Sequence, residues 1–166
     1  PKTSIEWTDY SWPIVNGCRR VSPGCGGADG GGCYAERLAA TRLRHLPKYE
    51  GLATFTPGVG PRWTGKTRLW VPDLDMPLRL KKPSRIFVAD MGDLFHEKVT
   101  NEEIAAVFGI MAIAKRHCYQ ILTKRAKRMR EWFAWVADGR IPKAWCVGAA
   151  WRALGRKDNA FSVMSP

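Results

Sequence analysis

At 166 residues, 45% hydrophobic and 25% charged, the chain has the apolar content for the core of one domain (1–166) and is too apolar to be disordered. Lys and Arg number 27 against 15 Asp and Glu, and the net charge of +12 favours polyanions, nucleic acid first among them, as salt-dependent partners. The longest candidate for a membrane span, residues 104–114, is short and amphipathic, so no membrane partner is expected.

Ser11 to Val15 reads as a first strand, and the turn-rich segment after it carries Cys18, Cys25 and Cys33 in a C-x6-C-x7-C spacing. Thiolates are soft ligands for zinc or an iron–sulfur cluster, and Pro23 and the surrounding glycines let the backbone fold back so that three of them reach one centre. A structural zinc site closes with four protein ligands, whereas three cysteines leave a position for a further residue, solvent or substrate. Structural or redox thiols are the competing reading. The total of five cysteines is odd, and no apolar leader of signal-peptide type precedes Cys18, which argues against disulfides and for a cytoplasmic location. The glycine stretch lacks the Gly-Lys-Ser/Thr ending of a phosphate loop. Cys118 and Cys146 sit in apolar runs and read as core thiols.

Ala35 to Leu46 reads as the first helix. Residues 47–83 hold six of the 11 prolines with four glycines, which predicts a long irregular crossover containing one short helix or hairpin. From residue 84 the pattern is regular. Ser84 to Ala89 is a buried strand, a charged loop runs from Asp90 to Glu97, and Thr100-Asn101-Glu102-Glu103 has the form of a capping box opening a helix that stops near Lys115. Cys118 to Thr123 is the next strand, and Lys124-Arg125 opens a helix through about Ala137 that ends at Asp138-Gly139. Ala144 to Gly148, after Pro142, reads as a third strand, and residues 149–166 as an irregular tail. Alternating strands and helices predict parallel pairing and an α/β fold. A closed (β/α)₈ barrel needs roughly 200 residues or more, so the expectation is a partial TIM-barrel-like arrangement.

In such folds functional groups collect where strands end and loops begin. The cysteine loop, Asp90, Asp93 and His96, and Thr123 to Arg125 all fall at that edge and are expected to converge. Asp90 and Asp93 suit the ribose or amine of a cofactor, or simply a turn. His96, beside Glu97, suits an acid, base or metal ligand, or a capping role. Lys124, Arg125, Lys127 and Arg128 suit phosphate contacts, while Met129, Trp132, Phe133 and Val136 follow helical spacing and suit the core better than base stacking.

Five separated strings, Ser4 to Asp9, Gly17-Cys18 through Cys25, Cys33 to Arg37, Asp93 to Glu97 and Gln120 to Arg125, resemble the phage-associated three-cysteine-motif family over about residues 3–135. That family is usually described as radical-SAM-like. The resemblance implies that Cys18, Cys25 and Cys33, with Tyr34 beside them, hold a [4Fe–4S] cluster whose open iron takes S-adenosylmethionine, the cluster reducing the cofactor to release an adenosyl radical. It implies that Asp90, Asp93 and His96 orient cofactor or substrate and that the basic residues meet the phosphate of a nucleic acid or nucleotide. The usual radical SAM loop is C-x3-C-x2-C, so Gly26 to Gly32 reads as an insertion, and the resemblance fades after about Pro142, as in a shortened member. Two non-catalytic alternatives stand beside this reading. One is a zinc-stabilised nucleic-acid-binding protein, with His45, His96 or an acidic residue as fourth ligand; the other is a phage protein that binds a host factor in the host cytoplasm.

Overall fold

The computed structural model describes residues 2–25, 32–138 and 143–155. Strand β1 (Tyr10–Trp12) stops at Pro13, which has no N–H to continue a ladder, and β2 (Val15–Asn16) leaves for a separate pairing. After the cysteine loop come α1 (Tyr34–Ala40), the hairpin strands β3 (Ala53–Thr56) and β4 (Gly60–Trp63), β5 (Arg68–Leu69) and the short helix α2 (Met76–Arg79). The regular part follows: β6 (Arg85–Val88), α3 (Asn101–Ile113), β7 (Cys118–Ile121), α4 (Ala126–Ala137) and α5 (Lys143–Ala153).

The architecture is mixed α/β. Strands β1, β6 and β7 form one parallel sheet in the order β1-β6-β7, with Trp12 opposite Val88 and Val88 opposite Ile121. Two antiparallel pairs, β2 with β5 and β3 with β4, stand apart from it. Among the described residues the sheets do not close into a barrel, and no helix is long and apolar enough to cross a membrane. The crossover 47–83, expected to hold one short helix or hairpin, carries both, the β3–β4 hairpin and α2.

The main core packs α3, α4 and α5 against the sheet through Trp12, Ile86, Val88, Phe95, Ile104, Val107 and Trp132, all nearly or wholly out of water. Thr100 caps α3 as the sequence predicts: its hydroxyl accepts from Glu103 N at 3.1 Å, and Glu103 returns a carboxylate to Thr100 N at 2.8 Å. A second cluster of Ala35, Ala39, Tyr49 and Met91 seats α1 against the hairpin.

The structure corrects three readings. Ala144 to Gly148 is not a strand but the middle of α5, and residues 149–153, expected in a tail, complete the same helix. Residues 146–150 are all buried, so the helix lacks the polar face that would reveal its period, and a run apolar on every side is indistinguishable from a buried strand. It packs so closely on α3 that a Cβ at Gly109 would lie 2.0 Å from the Cys146 carbonyl oxygen. The first helix ends at Ala40 rather than Leu46, and turns follow it. Cys118, expected in the core, is exposed at the start of β7, whereas Cys146 is buried. Gly26 to Gly31, residues 139–142 with the helix stop expected at Gly139, and residues 156–166 lie outside the described residues.

Candidate functional site

Because β1, β6 and β7 run parallel, the segments leaving their carboxyl ends meet on one side, and there they enclose a cavity of about 600 Å³. Cys18, Cys25 and Cys33 all line it, together with Asp90 and Asp93 from the β6 end and Lys124 and Arg125 from the β7 end. Its walls are mainly apolar, with Trp63, Phe87 and Leu122 among them.

Backbone contact without side chains sets this junction. Gly17 forms a parallel bridge with Gly92, and its N–H donates to Met91 O at 3.1 Å. Gly17 adopts φ +84°, and a Cβ there would lie 2.3 Å from Lys66 O, so only glycine fits immediately before Cys18. One residue past the end of β6, Ala89 holds φ 58° and turns the chain so that Asp90 faces the cavity.

Asp93 and Arg125 tie the strand ends together. Asp93, 5% exposed, accepts at Oδ1 from Phe95 N (3.0 Å) and Thr123 Oγ1 (2.8 Å), and at Oδ2 from Lys124 N (3.3 Å) and Arg125 Nη1 (3.0 Å). Arg125 Nη1 also reaches Cys18 Sγ at 3.5 Å, its Nη2 donates to Arg19 O at 3.2 Å, and its Nε donates to Glu97 Oε2 at 2.9 Å. Burial works against the guanidinium charge, but the Glu97 hydrogen bond and the Cys18 and Asp93 charges more than offset it, and the Arg125 pKa rises. Burial likewise opposes the Glu97 charge; its own backbone N–H and Arg125 overcome this and hold the carboxyl at about 2.

The three thiols stand in different surroundings. Burial pushes Cys18 up despite the nearby Arg125. Cys25 is shifted down: burial opposes its thiolate, but Val21 N–H at 3.5 Å, the Ser22 N–H and hydroxyl, and the Lys124 charge favour it. Cys33 immediately precedes α1, whose buried Glu36 accepts from Arg20 Nη2 at 2.5 Å and from Trp63 N at 2.7 Å. Glu36 therefore pins the cysteine loop and the hairpin to one helix.

Asp90 differs from Asp93. Its Oδ1 is buried with no hydrogen-bond partner, and burial, only partly countered by a hydrogen bond from Ser11, raises its carboxyl to about 6. Tyr34, on the cavity wall, donates from its hydroxyl to the Asp90 backbone oxygen at 2.5 Å.

The remaining predicted site residues lie elsewhere. His96 is fully buried outside the cavity lining; its Nδ1 accepts from Lys98 N at 3.1 Å, and its Nε2 has no partner. Lys127 and Arg128 border a shallow depression with Glu97 and Glu131, where Lys127 faces Glu131 at 3.9 Å and Arg128 donates to Asn101 Oδ1 at 2.5 Å. His45 is exposed and away from the cavity lining. Arg20 and Glu36 were not singled out from the sequence; the signal for Glu36 was a lone carboxylate among the small apolar residues Ala35, Ala39 and Ala40.

Three thiols facing one cavity, one of them stabilised as thiolate, supply the donor chemistry of a soft metal or cluster. Among the described residues no three His, Cys, Asp or Glu side chains are drawn together as a formed metal site. A profile of the family described as "Protein of unknown function (DUF5131)" matches residues 2–159. No curated protein and no solved structure matches the chain.

Proposed function

The chain belongs to the DUF5131 family of unknown function, and within it we propose that this protein holds a [4Fe–4S] cluster on Cys18, Cys25 and Cys33 and acts in a radical-SAM-like manner on a nucleic acid or nucleotide. The observation that carries the reading is that three cysteines spread over 16 residues line a single cavity together with groups from two further strand ends. The resemblance to phage-associated three-cysteine-motif proteins points the same way. With the cysteines at one carboxyl edge, β1, β6 and β7 are read as part of a TIM-barrel-like arrangement, and a cytoplasmic location suits reduced thiols.

Bound there, the cluster with S-adenosylmethionine supplies one-electron, radical-generating chemistry. The protein's own residues hold and orient. Arg125 donates to Cys18 and fixes it against Asp93. Asp93, with both oxygens engaged, positions rather than reacts. Asp90 keeps an unpaired buried oxygen for a hydroxyl or amine of the ligand, and Lys124 beside Cys25 offers a cation to a carboxylate or phosphate. Trp63, Phe87 and Leu122 offer apolar contact to a bound ligand.

A closed zinc site finds no histidine here, because His45 and His96 do not line the cavity, and Asp93 is fully engaged, so Asp90 is the acidic side chain left to serve as a fourth ligand. Single Cys→Ala substitutions at residues 18, 25 and 33 test the proposal. Each is expected to abolish stoichiometric iron after anaerobic reconstitution; iron retained in the triple variant would overturn it.

A further inference from the structure

The β3–β4 hairpin places two large apolar side chains in water: Phe55 is 54% exposed and Val59 56%. Its register explains where they point. Ala53 pairs with Trp63 and Phe55 with Pro61, and residues two apart share a face, so Phe55 and Pro61 extend the face that bears Trp63. Trp63 lines the cavity. An apolar stripe therefore runs from the cavity wall along the hairpin to its tip.

The stripe rests on a fixed base. Trp63 N donates to the buried Glu36, and Ala53 and Trp63 pack on the cluster around α1. Cations stand nearby: Arg62, opposite Thr54 in the register, is exposed on the hairpin's other face, and Arg19 borders the cavity with an exposed side chain, whereas Arg20 is held by Glu36. An exposed aromatic on a rigid arm, with Arg62 on the arm's other face, Arg19 at the cavity border and a net charge of +12, combines the two elements of single-strand recognition, a stacking platform and a backbone-tracking cation.

We infer that the β3–β4 hairpin is a stacking arm for single-stranded nucleic acid, with Phe55 holding an unpaired base next to the one that enters the cavity. This rests on the reading of nucleic acid as the ligand and specifies its form. Phe55 supplies ring contact and no charge, so it contributes to affinity without altering counterion release, whereas Arg62 contributes to both.

The test is fluorescence anisotropy with single-stranded DNA, single-stranded RNA and the duplex of the same sequence, over a range of salt, using wild type, Phe55→Ala, Phe55→Trp and Arg62→Ala. Phe55→Ala is expected to weaken single-strand binding roughly tenfold with an unchanged slope of log K against log salt. Phe55→Trp should restore it, duplex binding should be unaffected, and the DNA and RNA arms show which strand is preferred. Wild-type single-strand affinity in a folded Phe55→Ala protein, or an equal loss on duplex, overturns the inference while leaving the nucleic-acid reading intact. No binding to any of the three probes overturns both. If sedimentation instead shows Phe55→Ala dissociating a dimer, the stripe is covered by a second copy and the inference fails.

Discussion

Gly17 and Gly92 lie backbone to backbone, and this bridge brings the residues that follow them, Cys18 and Asp93, within reach of one nitrogen of Arg125. A Cβ at Gly92 would sit 2.6 Å from Val15 O, a backbone atom that cannot swing away. Gly92→Ala is expected to cost about 1–3 kcal/mol by overpacking. Urea denaturation checks the cost; an unchanged midpoint would show that the two segments separate freely.

Arg125 is the buried partner of a carboxylate that is itself only 5% exposed. Arg125→Met removes the cation and leaves Asp93 charged and under-bonded, a change expected to destabilise by about 3 kcal/mol or more. Pairing it with Asp93→Asn should recover part of that loss, because the uncompensated charge goes with it. A double-mutant cycle in urea measures the coupling, and simple additivity would show the pair to be independent.

Asp90 gives the chain a pH signature. Its carboxyl is raised to about 6 from 3.8, so its contribution to stability is fully present below pH 3.8 and is lost as pH rises through about 6. Asp90→Asn has no such titration. The variant should gain stability relative to wild type between about pH 4 and 6 and keep the advantage at neutral pH. Denaturation midpoints across that window report it, and a constant difference between the two proteins would mean that Asp90 stays ionised.

Gly109 is the contact point of α3 with α5. Even a methyl group there meets the Cys146 carbonyl, so Gly109→Ala should loosen α5, lower the melting temperature by several degrees and raise proteolysis at residues 143–153. Unchanged cleavage of α5 would contradict this packing.

Local rules made much of the fold legible. The capping residues Thr100 and Glu103, the apolar strands around Ile86 and Ile121, and the Pro and Gly content of 47–83 each carry a short-range signal, and each element is found. The 144–148 segment misleads because burial on every side erases its period. Convergence of the cysteine loop with the strand ends around Asp90 and Lys124 was legible from topology, since parallel strands share a carboxyl edge. What pairing does to a residue was not. Asp93 and Asp90 are three residues apart and look alike in sequence, yet one has both oxygens filled and the other keeps one empty. His96 faces away from the cavity because the turn at 93–96 directs its ring inward, where Lys98 N holds it.

The central claim, that Cys18, Cys25 and Cys33 hold one iron–sulfur cluster, is tested most directly by the iron, zinc and acid-labile sulfide content of protein reconstituted without oxygen, read together with its visible spectrum. About four irons and four sulfides per chain, with broad absorption bleached by reductant, is the predicted result. One zinc without sulfide, or no metal at all, would contradict it.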